Sequence, residues 1–334
     1  MKRYLKPVVM IMLAFSLAGC ADQIQDEETQ AQTLPIEESD APLLAEGEKI
    51  TIDGECEFQV DYVRISENPE HYYEAETGKT CVDFCLTYKN LADYTVNASN
   101  VMKGKLIYSG WYEYNGADRA TDDSGSSLSP AHWIDMEPSD TRQIHYFFAV
   151  PKELQDSGRM VELNVSIREN DYRIIVREGE KGEIPAEKTT STSGEVEDGQ
   201  VVVTDNAKFH VEYAEFTKEV IPPSPNHSYN YYSAEDGKVY IDFCVAYTNL
   251  SSQNITGAKA ILAKLDQAEA VTSVTEQSER SMFDYSNLVN VIPLCTEYIH
   301  YIFQVPEELE TSSDQVTISF KIDGSNYTYS VKRR

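Results

Sequence analysis

The sequence predicts an all-β fold, two antiparallel β-sandwiches in tandem, on three observations. Apolar residues alternate at period two through the strongest segments, those segments return in the same order in the second half, and turn residues separate them. "FQVDYVRI" at 58 is answered by "FHVEYAEF" at 209, "VDFCLTYKNL" at 82 by "IDFCVAYTNL" at 241, and "IHYFFAVPKEL" at 144 by "IHYIFQVPEEL" at 299. Within them Phe58, Val60 and Tyr62 share a phase, as do Val82, Phe84, Leu86 and Tyr88, and Ile144, Tyr146, Phe148 and Val150. Residues two apart on a strand face the same way, so each set is expected to line one buried sheet face. The Pro of each "VP" ends its strand, because Pro cannot donate to a ladder. "KNL", "TNLSS" and the "DGSN" at 323 to 326 stand where hairpins need turns. About seven strands per half suit a two-sheet sandwich.

The elements follow in chain order. Residues 1–19 are expected to be a lipoprotein signal peptide: Lys2, Arg3 and Lys6 precede an apolar stretch from Val8 to Phe15, too short to span a bilayer comfortably. The "LAGC" at 17 to 20 then resembles a bacterial lipobox, which implies a lipid on Cys20 as the membrane anchor. Residues 20–47 carry eight carboxylates, Asp22 to Glu46, with no Lys or Arg, and predict an extended, self-repelling tether. The first sandwich is expected over 48–177, a second acidic linker over 178–199, and the second sandwich over 200–334.

The strand order, the "F-C-x-x-Y-x-N-L" segment and a Pro-containing turn before "I-H-Y-x-F-x-V-P" resemble the telokin-like immunoglobulin-fold domains of lipoproteins secreted by Gram-positive bacteria. The resemblance covers both repeats. It implies immunoglobulin-like sandwiches at a cell surface, with a binding or structural role and no assigned enzyme chemistry. It supplies no set of site residues.

Charge narrows the partners. With 28 basic and 56 acidic residues the formal net charge is -28, which opposes nucleic acid or an anionic membrane surface as a direct ligand. The 22 Tyr and 11 Phe supply more core-forming surface than a disordered chain carries. Removing Cys20 leaves Cys56, Cys81, Cys85, Cys244 and Cys295, an odd number. Cys56 and Cys81 have no counterparts in the second copy, which holds Ala207 and Tyr240 there. A Cys56 to Cys81 disulfide is one reading and two buried thiols the other, because opposite strand phases oppose a bond. Cys85 and Cys244 are equivalent and are expected to be small core residues.

Candidate chemistry is sparse. His145 and His300 recur on the face opposite the Ile/Tyr/Phe set and are expected to be hydrogen-bonded strand residues. No Cys, Ser or carboxylate is expected to recur as a triad partner for them. "HExxH", "GxSxG", the P-loop, paired "CxxC" units and the EF-hand series are missing, so no catalytic residue or cofactor is assigned. Trp111, Tyr112, Tyr114 and Trp133 form a candidate aromatic platform beside Tyr72 and Tyr73, set against the alternative that alternation buries every second ring. Asp118, Asp122 and Asp123 are a calcium candidate, set against a solvated acidic loop. The expected function is a lipid-anchored extracellular module that binds a protein or glycan. An envelope hydrolase or its accessory, or a non-binding structural component, are the alternatives.

Overall fold

The longest strands are those the repeats spell out. The computed structural model describes residues 36, 39–66, 78–123, 125, 127–184, 193–225, 229–265, 268, 270–277 and 280–333; Cys20, Tyr72 and Tyr73 lie outside them. In the first half Cys56–Ser66, Lys79–Asn90 and Thr141–Pro151 run side by side, with Lys49–Ile52 outside the first and Ala117–Thr121 then Leu128–Pro130 beyond the last. The second half repeats the order: Val202–Val203, Ala207–Thr217, Lys238–Asn249, Thr296–Pro306, Ala270–Gln277, Met282–Tyr285. All neighbours in both sheets are antiparallel.

A four-stranded sheet closes each sandwich. In the first half it runs Asn170–Arg177, Val161–Ile167, Met102–Tyr108, Tyr112–Asn115; in the second, Gly194–Glu195, Ser325–Ser330, Thr317–Ile322, Leu262–Leu265. Phe58, Val60, Phe84, Leu86, Ile144 and Phe148 meet Leu106, Tyr108, Leu163 and Val165 in one core. In the other, Phe209, Phe243, Val245 and Phe303 meet Ile318, Phe320, Tyr327 and Tyr329. Each such ring or branched side chain contributes about 1.5–3 kcal/mol on full burial. Period-two alternation therefore sets both the sheets and their packing.

The Asn of "Y-x-N-L" does more than turn the chain. Asn90 is fully buried, its amide donating to the carbonyls of Tyr94 and Met136 at 2.9 and 3.0 Å while its oxygen accepts from the Ala92 N–H. Asn249 repeats the clip on Gln253, Val291 and Ser251. Each side chain thus satisfies three backbone groups of a connection whose own pairing is a single two-residue ladder, Val96–Asn97 with Asp135–Met136 or Ile255–Thr256 with Asn290–Val291.

Several expectations change. Tyr62 leaves the core phase because a β-bulge between Val60 and Tyr62 sets Asp61 and Tyr62 together against Cys85. A bulge between Val211 and Tyr213 does the same for Tyr213 against Cys244. The extra residue resets alternation, so Tyr62 and Tyr213 turn to the outer face. Strands outnumber about seven per half because Tyr112–Asn115, Ala117–Thr121 and Leu128–Pro130 pair in sheets instead of looping freely. The end of the acidic tether is docked: Leu43 bridges Arg173, and Leu44 is 5% exposed within the first core. Both ends of the second linker are docked too, Ile184 against the first core and Val196 inside the second.

The halves touch through polar groups as well as apolar ones. Lys79 Nζ meets Glu297 Oε1 at 2.7 Å with their side chains 13% and 9% exposed, the Glu113 N–H donates to the Ser252 carbonyl, and the Tyr114 hydroxyl to the Pro293 carbonyl. Ile292 and Leu294 of the second half pack against the first core.

The candidate disulfide is not formed. Cys56 pairs with Asn90 at one end of its ladder and Cys81 with Ser66 at the other, roughly 30 Å away at ~3.3 Å per residue. Cys56 also lies in the core whereas Cys81 turns outward, so no bond can join them. Burial pushes the Cys81 thiol up to about 12 and raises Cys56, Cys85 and Cys244. A buried neutral thiol is a poor nucleophile. Iodoacetamide at about pH 8 is therefore expected to spare these four cysteines in the folded protein. Denaturation without reductant should expose them all, and a disulfide-linked peptide by mass spectrometry would contradict the fold.

Candidate functional site

The outer face of each six-stranded sheet carries a buried polar cluster, built by the same alternation that builds the core. On Lys238–Asn249, Ile241, Phe243 and Val245 point inward, so Asp242 and Cys244 point outward. His300 is the Cα partner of Cys244, and Val274 that of His300 on the far side. The bulge adds Tyr213 opposite Cys244. One register thus gathers groups from four strands.

The second-half cluster is closed and fully partnered. His300 Nδ1 lies 2.9 Å from Asp242 Oδ1, and its Nε2 lies 2.9 Å from Glu276 Oε1. The Tyr213 hydroxyl donates to Asp242 Oδ2 at 3.1 Å, and Arg280 Nε meets Glu276 Oε2 at 2.5 Å. Both imidazole nitrogens face carboxylates, and only the imidazolium donates to both. Burial opposes that charge, but the Cys244 sulfur and the Asp242 carboxylate outweigh it and hold the His300 pKa well above 6.5. Burial also raises Tyr213, reinforced by Asp242. A second apolar cluster of Val220, Tyr240, Val274, Phe283 and Ile302 lies on this face, with the Phe283 ring edge-on to His300 at 5.0 Å. This wall keeps the local dielectric low and each ion pair strong.

The first half keeps four of these groups and changes the rest. His145 Nδ1 lies 3.0 Å from Asp83 Oδ1, its Nε2 3.5 Å from Cys85 Sγ, and the Tyr62 hydroxyl donates to Asp83 Oδ2 at 3.0 Å. Phe147 stacks on the His145 ring at 5.5 Å. The bulge residue Asp61 supplies a carboxylate 3.6 Å from Cys85 Sγ, and Thr87 also donates to it. Carboxylate, imidazole and thiol stand in the order of a nucleophilic triad. Yet all three are buried, and burial, with Asp61 and Asp83 adding to it, raises the Cys85 thiol. The arrangement holds its proton on sulfur.

The sequence placed the recurring histidines on the outer face correctly but missed their partners. Asp83 and Asp242, and Cys85 and Cys244, do recur in "D-F-C", in the same outward phase as the His of "I-H-Y". Cys85 and Cys244 are accordingly members of these clusters and not of the main cores. The aromatic platform does not assemble: Tyr112 and Tyr114 are fully buried, Trp111 packs against the first core, and Trp133 stands 71% exposed beside His132. The Tyr112 hydroxyl accepts from the Ile184 N–H at 3.0 Å, so it anchors the linker. The calcium candidates are dispersed: Asp118 sits in a strand opposite Tyr146, Asp122 takes the Ser127 hydroxyl, and Asp123 pairs with Arg142. Among the described residues the His/Cys/Asp/Glu group with converging donor atoms is Cys244, Glu276 and His300. A cleft of about 380 Å³ lies elsewhere, lined by Ile184, Val203, Phe209, His210, Leu250 and Leu294 among others.

No family model and no curated protein matches the chain. Among solved structures it is similar to an uncharacterised β-sandwich protein from Clostridium difficile 630, 29% identical, over 45% of this chain and 100% of that one, at a TM-score of 0.38. A conserved hypothetical protein from Bacillus anthracis is 13% identical over 36% of this chain and 88% of its own, at 0.26. A candidate lipoprotein from Bacillus subtilis is 12% identical over 39% and 38%, at 0.25.

Removing one member of a buried ion cluster leaves the others uncompensated. His300→Ala should cost about 3–5 kcal/mol of folding stability in urea unfolding, because Asp242 and Glu276 lose their shared cation. Tyr213→Phe should cost about 1 kcal/mol, a single hydrogen bond.

Proposed function

We propose that the chain is a lipid-anchored binding module on the outer face of a Gram-positive cell membrane, two immunoglobulin-like sandwiches whose ligand is a protein or glycan. The observation that carries this is an exposed tyrosine surface in the second half. Tyr229 and Tyr231 stand 38% and 57% exposed with rings 6.3 Å apart, and Tyr285 of the edge strand Met282–Tyr285 is 56% exposed. The Asn230 amide donates to the Phe283 carbonyl and lays this segment along that edge. Next to Tyr231 in the chain, Tyr232 packs against the second apolar cluster and hydrogen-bonds Tyr285. The tyrosines thus stand on a rigid base, and such rings provide large contact area at little entropic cost. Exposed aromatics of this kind favour a ligand over a pure spacer.

The anchor on Cys20 and the surface location follow from the lipobox resemblance. No helix among the described residues is long and apolar enough to cross a membrane. The net charge of -28 favours neutral glycans or basic proteins as ligands. A second reading, an envelope hydrolase, has the Asp83, His145 and Cys85 alignment in its favour and the burial of that thiol against it.

Full-length protein and purified Gram-positive sacculi test the ligand by co-sedimentation. Retention in the pellet that survives salt, and weakens at least about tenfold in Tyr231→Ala with Tyr285→Ala but not in Trp133→Ala, is the outcome for a glycan site on these tyrosines. Retention unchanged by the tyrosine substitutions would reject this surface. Cys20→Ser is expected to release the protein from the membrane fraction, and persistence there would reject the anchor.

A further inference from the structure

We propose that Cys244, Glu276 and His300 form a binding site for a zinc-class divalent cation within the second sandwich. The Cys244 sulfur, a Glu276 oxygen and a His300 nitrogen lie within 4.8 Å of one another, and all three residues are buried. One thiolate, one imidazole and one carboxylate are a soft and borderline donor set, suited to zinc rather than calcium or magnesium. Three protein ligands leave the fourth tetrahedral position open.

Each ligand that needs orienting has an outer partner. Asp242 holds His300 Nδ1 and is itself held by Tyr213, which leaves Nε2 turned toward Glu276 and Cys244. Arg280 holds Glu276 Oε2 through Nε, with a longer 3.2 Å contact from Nη2 to Oε1, the oxygen that faces His300. Carboxylate to histidine and cation to carboxylate contacts of this kind fix the ligand atoms around a metal. The Arg280 side chain is 34% exposed and the Glu276 side chain it holds is 2% exposed, so Arg280 is the solvent-facing member of this pair.

The exchange balances. Without metal, Asp242, Glu276, the His300 imidazolium and Arg280 sum to zero charge beside a neutral thiol. A divalent cation replaces the Nε2 proton and the thiol proton, forms nitrogen, sulfur and oxygen bonds to the three ligands, and sends two protons to solvent. The buried charge is again zero, and no oxidant or reductant takes part.

The first half is an internal control. Its Cys85 and His145 match Cys244 and His300, but the strand position corresponding to Glu276 holds Thr121, and the nearby carboxylate, Asp61, arrives from the bulge. Its donors do not converge as a group.

Cobalt(II) titration of the full-length, chelator-treated protein tests the site. The expected result is one ion per chain, with a thiolate-to-cobalt charge-transfer band and intense tetrahedral visible bands, displaced by zinc. Cys244→Ser should abolish the charge-transfer band and Cys85→Ser should leave it intact. Asp242→Asn should weaken binding about 10–100-fold. Glu276→Gln, nearly isosteric, should also weaken binding, and circular dichroism of each metal-free variant separates lost affinity from lost fold. No cobalt spectrum in the wild type, or a band that survives Cys244→Ser, would overturn the proposal.

Discussion

Everything on the outer faces depends on the register between the two central strands of each large sheet. Cys85 opposite His145 and Cys244 opposite His300 fix which residues meet, and a one-residue slip of Lys238–Asn249 would send Asp242 and Cys244 into the core while Phe243 and Val245 turned to the outer face beside His300. The register is held at both ends. Asn90 and Asn249 clip one end of the central strand to its loop, and the terminal Pro of Thr141–Pro151 and Thr296–Pro306 stops pairing at the other.

Duplication supplied two copies of one problem, a histidine on a strand face that becomes buried. Both copies solve the Nδ1 side identically, with an Asp two residues before the Cys and a Tyr behind it. They differ at Nε2, where the first copy offers a thiol and the second a carboxylate backed by Arg280. The second solution brings four charges into an apolar wall, and desolvation makes such clusters weak contributors to net stability. Their strength is geometric: each member fixes the rotamer of the next.

The fold was legible because period two and the Pro and turn positions are local properties. Phe58, Phe84 and Phe148 needed no partner to announce a buried face. Tyr62 was misplaced because a bulge is an insertion in pairing and not in composition. Asp242 and Cys244 were visible in "D-F-C" but gained meaning only through the strand beside them. Glu276 and Arg280 had no counterpart in the first copy, so repetition could not mark them. The tyrosine surface was missed for a related reason: it is assembled from a loop and an edge strand some fifty residues apart, whereas the compact "YSGWYEYNG" run is mostly consumed by packing.

The docking of Leu44 bears on force. A pull applied to the N-terminal segment meets folded structure at the Ile36 to Gly110 hydrogen bond and then at the Leu43 to Arg173 bridge and Leu44, before it reaches the edge strand Lys49–Ile52. The hydrogen bonds between Leu44 and Arg173, and between Arg173 and Pro42, stand at that entry point as a small mechanical clamp. Tension from that end thus meets contacts at the rim of the first sandwich before it reaches the long central strands.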